Sequence, residues 1–100
     1  MDMTQATETL RAKVGAQSGL TAVLKFDCGH HGVAVIDGRA TPNAVDNVDR
    51  KADCTVTLPL GTLVDLLTGE LDATTGFMLG KFEVSGDMSV ALKLQRVLGP

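Results

Sequence analysis

The residue types best suited to chemistry in this sequence are two cysteines and two histidines. Cys28, His30 and His31 stand almost together, and Cys54 follows much later. Thiolates and imidazoles are common zinc ligands, and a cysteine beside a histidine is one form of activated nucleophile. Cys-x-His-His is not a customary metal spacing, however, and adjacent side chains diverge. Both cysteines also fall on inward positions of alternating segments, where a thiol is buried and inert. We therefore expect neither a metal nor another cofactor.

The motifs that usually mark an enzyme are missing from the sequence. It contains no Gly-x-Ser-x-Gly elbow, no phosphate-binding Gly-x-x-x-x-Gly-Lys-Ser/Thr loop and no Gly-x-Gly-x-x-Gly. The carboxylates fall mostly in loops and helix caps, where solvation is their usual role. We expect a protein that is not an enzyme. An acyl-thioester hydrolase is the catalytic alternative, and it would require turnover that depends on Asp37 or His31.

Composition narrows the class of protein and its partners. The chain of 100 residues is 44% hydrophobic and 21% charged, which predicts one globular domain over residues 1–100. The net charge is −3, no basic run occurs, and Trp and Tyr are absent, so we expect no nucleic-acid partner. An acidic domain is not attracted to anionic membranes, so any membrane contact should be transient. With no apolar run of 18 residues and no secretory signal, we expect a cytoplasmic protein.

Hydrophobic periodicity divides the chain into helices and strands. Alternation predicts strands over 20–28, 33–37, 53–58 and 81–85, and Val45 and Val48 suggest an edge strand that starts after Pro42. Three- and four-residue spacing predicts helices over 3–14, from Pro59 to Gly69, from Asp72 to Leu79 and from 88 to 98. This order favours an α+β fold, in which an antiparallel or mixed sheet carries its helices on one face.

The last of these helices carries more apolar surface than one neighbour can cover. Met88, Ala91 and Leu92 lie on one side, together with Gln95. A second apolar side is formed by Val90, Leu94, Val97 and Leu98. The sheet would cover one side. Another helix, a partner subunit or a bound lipid would cover the other.

Several segments in the second half of the chain, taken in order, resemble the sterol carrier protein type-two family. These segments are Ala52-Asp53-Cys54-Thr55-Val56-Thr57-Leu58, Leu63-x-x-Leu66-Leu67-x-Gly69-x-Leu71-Asp72, Phe77-Met78-x-Gly80-Lys81, Val84-x-Gly86-Asp87-Met88 and Ala91-Leu92-Lys93-Leu94. The resemblance extends over about 45 residues, with weaker agreement at Phe26-Asp27 and from Gly32 to Asp37. One departure is Gly76, because the family usually has Ala before the Phe.

The resemblance implies a five-stranded, mostly antiparallel or mixed sheet with helices on one face enclosing an apolar tunnel. It also implies non-covalent binding of sterol-like lipids, fatty acids or fatty-acyl thioesters for intracellular transfer. We expect a monomer or weak dimer. We expect the lipid cavity to be lined by residues of the late helices that face the sheet, namely Phe77, Met78, Met88, Leu92, Leu63 and Leu67. The alternative is a protein-interaction or dimerisation module that uses the apolar C-terminal helix.

Overall fold

A computed structural model describes residues 1–15 and 18–98 of the chain. Five helices and five strands follow one another, with a single 3-10 turn at Gly29–His31 between the first two strands. In chain order the elements are α1 (Met3–Val14), β1 (Val23–Asp27), β2 (Val33–Asp37), β3 (Ala44–Asp46), β4 (Cys54–Thr57), α2 (Leu60–Thr68), α3 (Ala73–Met78), β5 (Glu83–Gly86), α4 (Met88–Ala91) and α5 (Leu94–Leu98).

The strands form one mixed sheet in the order β3-β2-β1-β4-β5. The central pair, β1 and β4, is parallel, with Leu24 opposite Cys54 and Phe26 opposite Val56. The other three pairs are antiparallel. The α+β class and the mixed sheet predicted from the sequence are therefore confirmed. The parallel central pair requires a long connection between β1 and β4, which β2 and β3 supply.

The alternation predicted for the strands places one set of side chains in the core. Leu24 and Phe26 of β1 are fully buried, as are their partners Cys54 and Val56 of β4. The helices bury their apolar stripes against this same face, so the sheet and the helices share a single core. From the helices, that core includes Ala6, Leu10, Val14, Leu63, Leu66, Leu67, Val90, Leu94, Val97 and Leu98.

The connection from β3 to β4 crosses the outer face of the sheet. The ammonium group of Lys25, on the outward side of β1, donates to the carboxylate of Asp49 and to the carbonyl of Arg50, both at 2.9 Å. Val45 is buried on the edge strand as predicted. Val48 does not anchor that strand as expected, because it lies in the crossing segment and is 61% exposed.

Two of the late helices begin at the residues that the sequence indicates. The carboxylate of Asp72 accepts the backbone N–H of Thr75 at 3.1 Å at the start of α3. Asp87 accepts the backbone N–H of Ser89 at 2.9 Å at the start of α4. These contacts satisfy N–H groups that have no partner within their own helix.

The single helix predicted over 88–98 is wrong. The chain forms two short helices, α4 and α5, separated at Leu92 and Lys93. One residue in the break and one just after it are bonded to distant segments. The Lys93 ammonium group donates to the carbonyl of Leu20 at 3.3 Å, and Gln95 Oε1 accepts the N–H of Ala73 at 3.1 Å.

Candidate functional site

The cysteines and histidines do not form a common site. Cys28 and Cys54 are both buried on the core side of the sheet, whereas His30 and His31 are exposed. Cys54 pairs with Leu24, four residues before Cys28, so about 13 Å of strand separates the two cysteines. Among the described residues, no group of three or more histidines, cysteines or carboxylates is arranged to hold a metal ion.

Burial also makes Cys28 a poor nucleophile. Loss of solvation, together with the carboxylate of Asp27, raises the pKa of the Cys28 thiol to about 11. Burial likewise raises the pKa of Cys54. Since the thiolate is the reactive form, both side chains stay protonated near neutral pH.

A groove, which we call the apolar groove, lies between β5 and the three short helices α3, α4 and α5. Its volume is about 140 Å³. It is lined by Ala73, Thr74, Phe77, Phe82, Val84, Met88, Ala91, Leu92, Leu94 and Gln95. None of these side chains carries a carboxylate, an imidazole or a thiol, and most are apolar, so the groove can surround an apolar group.

Alternation along β5 supplies the floor of the apolar groove. Phe82 is buried and Val84 is partly buried, and both pack on the inward side of the sheet. Phe77, from α3, lies over Phe82, with the ring centroids 6.2 Å apart. The two polar lining residues, Thr74 and Gln95, lie on the helices α3 and α5.

Three of the six residues expected to contact lipid come together in this groove. They are Phe77, Met88 and Leu92. Met78 follows Phe77 on α3 but does not line the groove. We expected these side chains to face the sheet. Instead they are 51%, 48%, 83% and 79% exposed, respectively, because α3 and α4 turn them outward around the mouth of the groove.

The other two expected residues lie elsewhere. Leu63 and Leu67 are buried on α2, packed in the core rather than along the apolar groove. Helical spacing identified their apolar side correctly, but it does not distinguish a core layer from a groove wall.

Sequence reasoning missed part of the groove. Phe82 and Val84 were placed on a strand but were not expected to line the site. Their two-residue spacing next to the Phe77 helix was the available signal. Ala91 and Gln95 were assigned to the correct side of the last helix, yet only the tertiary structure brings them beside β5.

Three side chains that line the apolar groove, Phe77, Met88 and Leu92, are exposed, as are Met78 and Leu79, which follow Phe77 in the chain. We call these five residues the apolar rim. Contiguous exposed apolar patches on a folded domain commonly mark binding surfaces. Within the described part of the chain, no helix is both long and apolar enough to cross a membrane.

Comparison with known proteins agrees with the residues that suggested a family. The model of the SCP-2 sterol transfer family matches residues 3–99. Sterol carrier protein 2 of Bos taurus is 40% identical over 55 residues, which is 55% of this chain and 10% of that protein. The chain thus spans about a tenth of the length of the curated relatives it matches.

Solved structures show the same fold. The crystal structure of sterol carrier protein 2 like 2 from Aedes aegypti superposes with a TM-score of 0.72, at 26% identity and 94% coverage of both chains. A solution structure of the palmitated form of the Aedes aegypti protein gives a TM-score of 0.68 at 23% identity, covering 100% of this chain and 96% of that one. The chain belongs to the SCP-2 sterol transfer family.

Proposed function

We propose that this chain is a lipid carrier that binds sterol-like lipids, fatty acids or fatty-acyl thioesters in the apolar groove. The observation that carries the proposal is the apolar groove itself, three of whose lining residues belong to the exposed apolar rim. Family membership supports lipid binding and transfer in general terms. The palmitated relative from Aedes aegypti supports an acyl chain as one class of ligand.

The size of the groove indicates how a lipid would enter. Its volume of about 140 Å³ is close to that of an engineered cavity of roughly 150 Å³ that binds benzene. A long acyl chain therefore requires the groove to widen. The residues best placed to move are those of α3, because Phe77 and Met78 are 51% and 79% exposed. Closing over a lipid would bury them.

The energetics suit a carrier that must also release its ligand. Each buried methylene gains about 0.8 kcal/mol, so a sixteen-carbon chain gains up to roughly 12 kcal/mol. Lost rigid-body and chain freedom offsets much of that gain. We therefore expect the chain to bind such lipids with micromolar affinity. We propose that binding is not followed by covalent chemistry, because no carboxylate, imidazole or thiol lines the groove to activate an attacking group.

We further propose that the apolar rim is where lipid enters and leaves. These five exposed apolar side chains could contact a bilayer while the ligand passes between the bilayer and the groove. The net charge of −3 adds no attraction to anionic lipids, so this contact should be brief. A single lipid-binding domain over 1–100, acting in the cytoplasm as a monomer or weak dimer, remains part of the proposal.

The same rim supports a second candidate, a protein-interaction or dimerisation module. Leu92 and Met78 are the most exposed large apolar residues of the described chain, and a partner could cover them. Light scattering distinguishes the two functions. A tight dimer that stays free of lipid and buries the rim would favour the module.

The proposal is tested by native mass spectrometry and by displacement of a fluorescent fatty acid. Ala91→Trp places a large ring in the apolar groove, whereas Val48→Trp adds the same ring on the outer face of the sheet. We expect Ala91→Trp to weaken fatty-acid binding at least about tenfold and Val48→Trp to leave it unchanged. Absence of lipid binding by the unaltered chain would overturn the proposal.

A further inference from the structure

A second groove lies at the end of the sheet where the parallel strands β1 and β4 finish. We call it the polar groove. Its volume is about 640 Å³, several times that of the apolar groove. Its charged and polar side chains come from three separate parts of the fold. They are Asp27, His30, His31, Lys81 and Glu83.

Phe82 lines both grooves. Its side chain is 5% exposed and reaches under α3, where a β-carbon added at Gly76 would lie 3.0 Å from Phe82 Cε2. One buried residue thus borders both an apolar groove and a polar one. A molecule that extends past Phe82 from one groove to the other meets apolar side chains first and hydrogen-bonding groups next.

The side chains of the polar groove suit a large polar group rather than a single charge. The imidazoles of His30 and His31 lie side by side, with ring centroids 4.2 Å apart, and Lys81 adds an ammonium group. Two carboxylates oppose them, although Asp27 already accepts the N–H of Gly29 at 2.9 Å. Lys81 supplies one positive charge against the two carboxylates, and donors and acceptors are both present.

From this arrangement we propose a head-group subsite. The ligand is a single-chain amphiphile whose tail occupies the apolar groove, whose first polar atoms pass Phe82, and whose large hydrogen-bonding head occupies the polar groove. A sterol, whose polar part is one hydroxyl group, would leave most of the 640 Å³ unused. This inference rests on the proposed lipid-binding function and assigns the ligand class and the position of its head.

Gly61 offers a clean way to block the polar groove. It lines that groove near the start of α2, and a β-carbon added there meets nothing within 4 Å. Gly61→Trp should therefore fill the polar groove without disturbing the core, and Gly61→Ala is the matched control. Lys81→Trp, from the opposite wall, is a second block to be used if the first variant folds poorly.

The test compares two ligands with the same tail, decylphosphocholine and 1-decanol, by titration calorimetry below their aggregation limits. We expect Gly61→Trp to weaken decylphosphocholine binding by about tenfold or more and to leave 1-decanol within about twofold of the unaltered chain. Gly61→Ala should change neither. If Gly61→Trp and Lys81→Trp leave decylphosphocholine affinity unchanged, the head-group subsite is wrong. If the unaltered chain binds neither ligand, the lipid-carrier function itself fails.

Discussion

The Phe77 and Phe82 rings lie with their centroids 6.2 Å apart and their planes tilted by 44°. One ring is half exposed on α3, and the other is buried beside β5. Aromatic pairs at this separation and tilt attract each other by about 0.5–1.5 kcal/mol beyond their buried area. This contact joins the outer wall of the apolar groove to its floor, and it is the contact that a bound chain would have to displace.

Gly76 lies beneath this aromatic pair, and its substitution tests how firmly Phe82 is held. A β-carbon at Gly76 would lie 3.0 Å from Phe82 Cε2 and 3.1 Å from Leu71 Cδ2. Alanine improves helix propensity by up to about 1 kcal/mol, but overpacking costs about 1–3 kcal/mol. We expect Gly76→Ala to lower the free energy of unfolding by about 1 kcal/mol in urea denaturation.

Gly61→Ala is the control for this substitution because its added carbon meets nothing within 4 Å. It should raise the free energy of unfolding by up to about 1 kcal/mol. Equal stabilisation by the two alanines would mean that Phe82 does not occupy the space beneath α3. At Gly76 a methyl group fits only if Phe82 or Leu71 shifts by a few tenths of an ångström.

The Ala52-Asp53 pair that directly precedes β4 has a structural role. Asp53 Oδ2 accepts the N–H of Val23 at 2.8 Å, and the backbone N–H of Asp53 donates to the Val23 carbonyl at 2.9 Å. Arg39 pairs with the same carboxylate at 3.1 Å. Asp53→Ala should therefore lower the free energy of unfolding by about 1–3 kcal/mol, since it leaves the Val23 N–H without its acceptor.

Asp49→Ala provides the comparison for Asp53. The Asp49 side chain is 71% exposed in its ion pair with Lys25, so its removal should change stability by less than about 1 kcal/mol. Chemical denaturation of both variants measures the difference. Similar losses would contradict the assigned role of Asp53 in joining β1 to β4.

The raised pKa of Cys28 predicts a loss of stability in alkaline solution. Folding raises this pKa from 9.0 to about 11, so between those pH values the unfolded chain loses a proton that the folded chain retains. The free energy of unfolding therefore falls as pH rises through this range, by up to about 1.4 kcal/mol per pH unit for this thiol. Below pH 9 the effect is absent.

Cys28→Ala isolates this effect from lysines that titrate in the same range. The substitution removes a buried sulfur and so lowers stability at every pH, but the slope between pH 9 and 11 should become shallower. Denaturation midpoints across that range measure the slope. An unchanged slope would show that the Cys28 thiol is not shielded from water.

Much of the fold could be predicted because single residues determine it locally. The alternation of Leu24 and Phe26 defined the inward face of β1, and Asp72 and Asp87 marked the starts of α3 and α4. The break near Lys93 could not be predicted in this way. At the break, the Lys93 ammonium group donates to the carbonyl of Leu20, which is 73 residues away in the sequence.

The candidate site was only partly predictable for the same reason. Met88 and Leu92 were identified on a helix with surplus apolar surface and Phe77 on the predicted helix before it, and all three line the groove. Leu63 has the same apolar spacing on α2 but lies in the core. Spacing shows which side of a helix is apolar. Only packing against β5 shows whether that side covers the core or leaves room for a ligand.

The chain's four methionines provide the most direct test of where lipid binds. Met88 lines the apolar groove, Met78 belongs to its rim, and Met3 packs against the core from α1. Carbon-13 labelling of the methionine methyl groups gives each a separate nuclear magnetic resonance signal, which can be assigned by single Met→Leu variants. Titration with decanoic acid should shift the Met88 signal most and leave Met3 unchanged. A Met88 signal that stays fixed at saturating ligand, while binding is detected independently, would contradict the apolar groove as the lipid site.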